Sequence, residues 1–133
     1  MARIVLQPRY YYHVTLQPYR RLPLMSEQVE AYLREILPEL AKQGEFSLLE
    51  IGIVPTHIHL LLAKAPWANL LKIIHRIQIE TSEQILTHFP ELGQSLGIKR
   101  FWSDGFHYTK HTAKSLEAVR RYIREQKEHH GLE

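Results

Sequence analysis

The stretch VPTHIHLLLA, Val54 to Ala63, constrains the fold of this chain more than any other. An apolar run behind the breaker Pro55 reads as a buried strand. Side chains alternate faces along a strand, so His57, His59, Leu61 and Ala63 share one face and Ile58, Leu60 and Leu62 the other. Two imidazoles in adjacent same-face positions can converge on one ion. Taken alone, a His-x-His pair more often describes core-edge histidines bonded to backbone or water. The far end of the chain shifts that balance.

The flanking pattern places this strand in a sheet. Residues 9–17, RYYYHVTLQ, are aromatic and β-branched and read as a strand, ended by Pro18 and a basic turn, YRRLP. Half of the three tyrosines should face the core if one side of the strand is buried, so most of that signal is structural, although a tyrosine can also stack on a base. Ser26 opens a helix in which Val29, Tyr32, Leu33, Ile36, Leu37 and Leu40 form one apolar stripe, ending near Gly44. FSLLEIGIV, 46–54, is a second strand and pairs as a hairpin with the His strand. A helix is expected from Trp67 to about His88, broken near Thr81–Ser82, with His75 and His88 on its polar side. Residues 91–97 read as a loop. IKRFW (98–102) and FHYTKH (106–111) read as two strands around an Asp104-Gly105 turn. A last helix begins at Thr112 or Ser115 and runs to about His129. The order implies one α+β domain over residues 1–133, an antiparallel sheet with helices packed on it, of ferredoxin-like (RRM-like) character.

Composition narrows the class. With no cysteine the chain has neither disulfides nor thiolate chemistry. No apolar run approaches the ~20 residues of a membrane span, and Met1 is not followed by a signal-peptide pattern. The expectation is a cytoplasmic protein that does not engage a membrane. Net charge is only +3, but it is unevenly spread. Residues 1–25 carry four arginines and no acid, residues 26–50 six glutamates against Arg34 and Lys42, and residues 98–130 eight Lys/Arg against four acids. Two basic segments around an acidic one suggest a polyanion-binding face set against a solvated back.

The last helix, SLEAVRRYIREQKEHH, supplies the rest of the constellation. Leu116, Val119 and Ile123 form a narrow apolar stripe, with Tyr122 and Gln126 one turn apart beside it. Arg120, Arg121, Arg124 and Lys127 fan out around the other faces. If the stripe docks on the face bearing His57 and His59, a tyrosine and an amide meet two imidazoles. Two His nitrogens and one Gln oxygen suit Mn²⁺ or Mg²⁺ better than structural zinc. Such a metal is a Lewis acid for a phosphoryl oxygen, and Tyr122 is then a nucleophile that would form a phosphotyrosine. Alone, Tyr122 reads more readily as a half-buried aromatic with its hydroxyl in water.

THIHLLL together with YIREQ resembles the single-tyrosine HUH transposases (TnpA-like) of small insertion sequences, including relatives tied to repetitive palindromes. His57-Ile58-His59 matches the HUH motif, and Tyr122 to Gln126 matches Tyr-x-x-x-Gln, about 65 residues downstream. YHVTLQPYRR (12–21) resembles the family's first strand and basic turn, and FWSDGF (101–106) its aromatic segment before the last helix. The resemblance implies a single-strand DNA transposase that cleaves and rejoins hairpin-marked ends through a 5′-phosphotyrosine. Tyr122 would be the nucleophile and His57, His59 and Gln126 the ligands of Mg²⁺ or Mn²⁺. It implies DNA hairpins and a second copy of the chain as partners, with Arg20, Arg21, Arg120, Arg121, Arg124 and Lys127 as candidate DNA contacts. A domesticated or non-catalytic hairpin-binding protein on the same fold is the alternative. A replication-initiator or relaxase-type nicking enzyme is a third reading, and the size of the chain argues against it.

Overall fold

The computed structural model describes residues 8–126; Lys127 and the end of the expected last helix lie outside them. The elements run β1 (Tyr11–Leu16), α1 (Glu27–Gln43), β2 (Phe46–Val54), β3 (His57–Lys64), α2 (Leu70–His88), α3 (Pro90–Leu96), β4 (His107–His111) and α4 (Ala113–Arg124). The strands form one sheet in the order β2-β3-β1-β4, every neighbouring pair antiparallel. This α+β layout is the split β-α-β arrangement the element order implied.

Strand parity divides the molecule. Tyr12, Val14 and Leu16 of β1 and Ile58, Leu60 and Leu62 of β3 point to one face, where α1 and α2 cover them. On α1 the predicted stripe is buried at Val29, Leu33, Ile36, Leu37 and Leu40. Ser26 caps that helix by accepting from the Val29 N–H at 3.2 Å. Among the described residues the opposite face is covered by α4, through Ile123 on Tyr11, Leu61 and Ala63, with Leu116 and Val119 at the margin.

Four local expectations are corrected. The second helix starts at Leu70, capped by Asn69, which accepts from the Lys72 N–H at 3.1 Å. Trp67 is left 78% exposed ahead of it. This helix runs unbroken through Thr81 and Ser82. Both side chains are buried and bonded: Thr81 Oγ1 donates to the Ile77 carbonyl and accepts from Trp102 Nε1, while Ser82 Oγ accepts from the Phe101 N–H. Hydroxyls that usually compete with a helix here fasten a neighbouring segment to it. For the same reason 98–102 is no strand. Its backbone is spent on Ser82 and on the Tyr19 N–H, leaving a single bridge between Pro18 and Trp102. Residues 90–96 are helical, with Pro90 at the first position and Gly97 closing the end at φ 65°.

Candidate active site

The β1–β3 register sets His59 opposite Thr15, two positions along from His13 opposite Leu61. His13, Thr15 and His59 therefore share the α4 face. His13 Nε2 and His59 Nδ1 share a hydrogen bond at 2.7 Å, and Thr15 Oγ1 lies 3.3 Å from the same Nδ1. His57 Nδ1 is engaged by Thr56 Oγ1 at 3.1 Å. Each histidine of the pair is thus oriented through Nδ1, the arrangement that fixes the tautomer of a ligating imidazole. The two rings lie 4.9 Å apart, nearly perpendicular. His59 is buried, its Nε2 included.

The sequence reading missed His13. Burial first, then the positive fields of His111 and His107, lower its pKa from 6.5 to about 4, so it is neutral at pH 7. Its only signal was parity with Thr15, and that says nothing until the pairing with β3 is known.

α4 completes the constellation from the other side. Ile123 is fully buried, and Gln126 is 1% exposed. Tyr122 stays 41% exposed, with its ring edge-on to His59 at 6.0 Å and to His13 at 6.1 Å between centroids. Within one chain, then, the tyrosine stands beside that chain's own His59. Gln126 Nε2 donates to the Tyr122 carbonyl at 2.9 Å. Its Oε1 is buried and accepts no hydrogen bond among the described residues.

The close approach depends on β2. Gly52 pairs with His59, and a Cβ there would lie 2.2 Å from the Ile123 carbonyl oxygen and 2.8 Å from Gln126 Cγ. Any side chain would push the helix away.

A divalent cation fits this donor set. A buried amide oxygen left without a hydrogen bond is costly on its own and is the ligand type that hard cations take. With the two oriented imidazoles of β3 it would make a mixed N/O set with open positions. No group of three or more His, Cys, Asp or Glu residues that could hold a metal occurs among the described residues.

The predicted basic residues fall into two groups. Arg120 and Arg124 both hold Glu50 of β2, with nitrogen–oxygen distances of 3.1 Å, and so clamp α4 to the sheet. Burial would raise the Glu50 pKa, but hydrogen bonds and charge from Arg124 and Arg120 outweigh it and hold the carboxyl below its usual range. Arg20, Arg21 and Arg121 are exposed. Arg20 and Arg21 adopt φ of 52° and 57°, a left-handed conformation that costs roughly 1–2 kcal/mol per residue outside glycine. The turn is held by the Tyr19 N–H donating to the Phe101 carbonyl at 2.8 Å. Strain maintained at exposed arginines motivates a functional reading.

Over residues 7–126 the chain matches the model of the IS200-like transposases. It is 21% identical over 116 residues to the ISDra2 transposase TnpA of Deinococcus radiodurans, covering 87% of this chain and 82% of that one. A solved structure described as a candidate transposase from Deinococcus radiodurans R1 superposes with a TM-score of 0.73 at 20% identity, covering 95% and 96% of the two chains. A REP-associated tyrosine transposase bound to a REP hairpin superposes with a TM-score of 0.66 at 16% identity, over 98% of this chain and 73% of that one. No helix among the described residues is long and apolar enough to cross a membrane. With its family model matched across almost the whole sheet-and-helix unit, the chain belongs to the IS200-like transposases.

Proposed function

We propose that the protein is a metal-dependent single-strand DNA transposase that cleaves and rejoins hairpin-marked ends through Tyr122. The observation that carries this reading is the juxtaposition of Tyr122 of α4, and of Gln126 just past that helix's C-cap, with the His57/His59 strand. Tyr122 Oη attacks the scissile phosphorus, forming a P–O bond to the tyrosine while the bond to the 3′ oxygen breaks. The products are a 5′-phosphotyrosine and a free 3′-hydroxyl. Attack by a 3′-hydroxyl of another end reverses the step and releases Tyr122, so the phosphodiester is restored without ATP. His57, His59 and Gln126 Oε1 would hold Mg²⁺ or Mn²⁺, which when bound would supply Lewis-acid polarisation of a phosphoryl oxygen. His13 and Thr15 keep His59 oriented, and Thr56 does the same for His57.

A hairpin is the partner class supported by the relative solved with one. Arg20, Arg21 and Arg121, which are exposed, would meet phosphates. Arg120 and Arg124, already held by Glu50, act mainly on the position of α4. Replacing Arg20 by Ala should lower the salt dependence of hairpin binding by about one charge, and Arg124→Ala should change it less. A second copy of the chain is the remaining partner, and β4, paired among the described residues with β1 on one side, would offer it a strand edge.

The decisive experiment incubates the protein with labelled single-stranded hairpin DNA and Mn²⁺ or Mg²⁺, followed by a denaturing gel. A metal-dependent covalent protein–DNA band is expected, absent in Tyr122→Phe, whose hairpin binding stays within a few-fold because phosphates dominate the interface. Binding without any covalent band across several hairpins would favour the non-catalytic hairpin-binding reading.

A further inference from the structure

Among the described residues, α4 leaves part of its own sheet face uncovered. Beyond the Leu16–Ile58 pair the β1 register carries Gln17 to a position opposite His57, on the same side as Thr15 and His59. On the other flank Thr15 pairs with His107 of β4. Between them and the 103–106 loop lies a cleft of about 220 Å³, lined chiefly by Thr15, Gln17, Ser103, Asp104, Phe106 and His107. Thr15 links it directly to His59. The cleft is therefore one strand away from the scissile phosphate that Tyr122 would attack.

Its walls are fixed in place. Gly105, at φ 82°, offers its carbonyl to Gln78 Nε2 at 2.9 Å, which ties the loop to α2. The Ser103 N–H donates to the Gln17 carbonyl, and Ser103 Oγ to the Pro18 carbonyl, both at 2.8 Å. Asp104 is paired with Arg100 at 3.0 Å and remains exposed. Phe106, also exposed, is stacked on Tyr108 with 6.2 Å between centroids, so its ring has a defined plane. The strained Tyr19–Arg21 turn, with the exposed Arg20 and Arg21, follows Gln17 and Pro18 in the chain.

We propose that this cleft receives one unstacked nucleobase of the strand being cleaved, a base with an exocyclic amino group. The inference rests on the function proposed above and adds a specificity site to it. A cavity below the ~300–1,000 Å³ typical of sites for whole drug-sized ligands suits a single ring system. Phe106 is the stacking surface, which every base can use. Asp104 sets the preference: its carboxylate accepts from an amino group such as cytosine N4 and offers nothing to thymine, which presents acceptors and a methyl group. The same carboxylate repels phosphate, so the backbone passes outside, along Arg20 and Arg21.

The test uses the full chain and a hairpin oligonucleotide with a randomised single-stranded flank, selected by equilibrium binding and sequenced. The wild-type protein should enrich amino-bearing bases and deplete thymine at one flank position. Phe106→Ala should flatten that position and weaken binding to the enriched sequence by about 5- to 150-fold, the range for one base–aromatic stack. Phe106→Tyr should restore both. Asp104→Asn should alter the preference at that position alone. An unchanged base profile in Phe106→Ala, or enrichment of thymine at the position it affects, would overturn the proposal. Because binding is the readout, the two hypotheses fail separately. A base profile without any covalent adduct would remove the tyrosine chemistry and keep the pocket, and an adduct with a flat profile would remove only the pocket.

Discussion

The two faces of the sheet are built to different standards. On the α1/α2 face, Leu16, Leu33, Leu37, Ile58, Leu60, Leu62, Ile74, Ile77 and Phe101 are almost wholly shielded from water. On the α4 face the buried apolar set is Tyr11, Leu61, Ala63 and Ile123, interleaved with His59 and Gln126. Burying one such aliphatic side chain contributes about 1.5–3 kcal/mol, so the first face carries most of the folding free energy. β3 serves both. Its even-numbered residues hold the fold and its odd-numbered residues present the chemistry, so a register slip of one residue would exchange the two roles. The polar groups of the site are tolerated because the opposite face does not depend on them.

That division predicts opposite phenotypes for neighbouring residues. Leu60→Ala removes a fully buried side chain from the thick core and should cost about 2–5 kcal/mol in urea unfolding. Mn²⁺ affinity, measured by titration calorimetry below the unfolding transition, should stay near wild type. Ile123→Ala should do the reverse. It frees α4 locally, giving fast hydrogen exchange over residues 113–124 with a smaller change in global stability. If Ile123→Ala unfolded the whole chain as readily as Leu60→Ala, the faces would form one cooperative unit and the contrast would fail.

Gly52 sharpens the same comparison with a single added group. A Cβ at 2.2 Å from the Ile123 carbonyl meets backbone, which cannot rotate away, so α4 must shift. Gly52→Val should weaken Mn²⁺ binding by about 10- to 100-fold, the scale seen when ligand orientation is disturbed. Hairpin binding through Arg20 and Arg21 should persist. Wild-type metal affinity in this variant would mean that Gln126 is not a ligand, or that α4 docks elsewhere when the metal is bound.

Much of this arrangement was legible in the sequence wherever period alone decides. The parity of His57 and His59 and the stripe of Leu116, Val119 and Ile123 needed only strand and helix geometry, and the structure brings the two together. What sequence could not supply were pairings across long separations. His13 gains its role from the β1–β3 register. Glu50 claims two arginines that the charge pattern had offered to DNA. Thr81 and Ser82 resembled a helix break because their partners, Trp102 and Phe101, lie some twenty residues away. Phe101 and Trp102 in turn had the composition of a strand, but their backbone is committed to a side chain and a turn.

The smallest effect expected is also specific to the thin face. His13 has a folded pKa of about 4 against an ordinary 6.5, lowered by burial and then by His111 and His107. Between those values the unfolded chain takes up a proton that the folded chain refuses. Its contribution to stability is therefore complete above pH 6.5, declines as pH falls to about 4, and is constant below that. Glu50, held below its usual range by Arg124 and Arg120, contributes above the ordinary carboxylate pKa and loses that contribution as pH falls through its lowered value. Both act in the same direction, His13 first. Acid should thus weaken the α4 face in two steps while the apolar face, which lacks such groups, is indifferent. Urea midpoints of the metal-free protein in EDTA, measured from pH 7.5 down to 4, should fall, and His13→Gln should flatten the part of the slope above the carboxylate range. Parallel slopes for the two proteins would place the acid sensitivity elsewhere and leave His13 as a hydrogen-bond partner of His59 with no bearing on stability between pH 6.5 and 4.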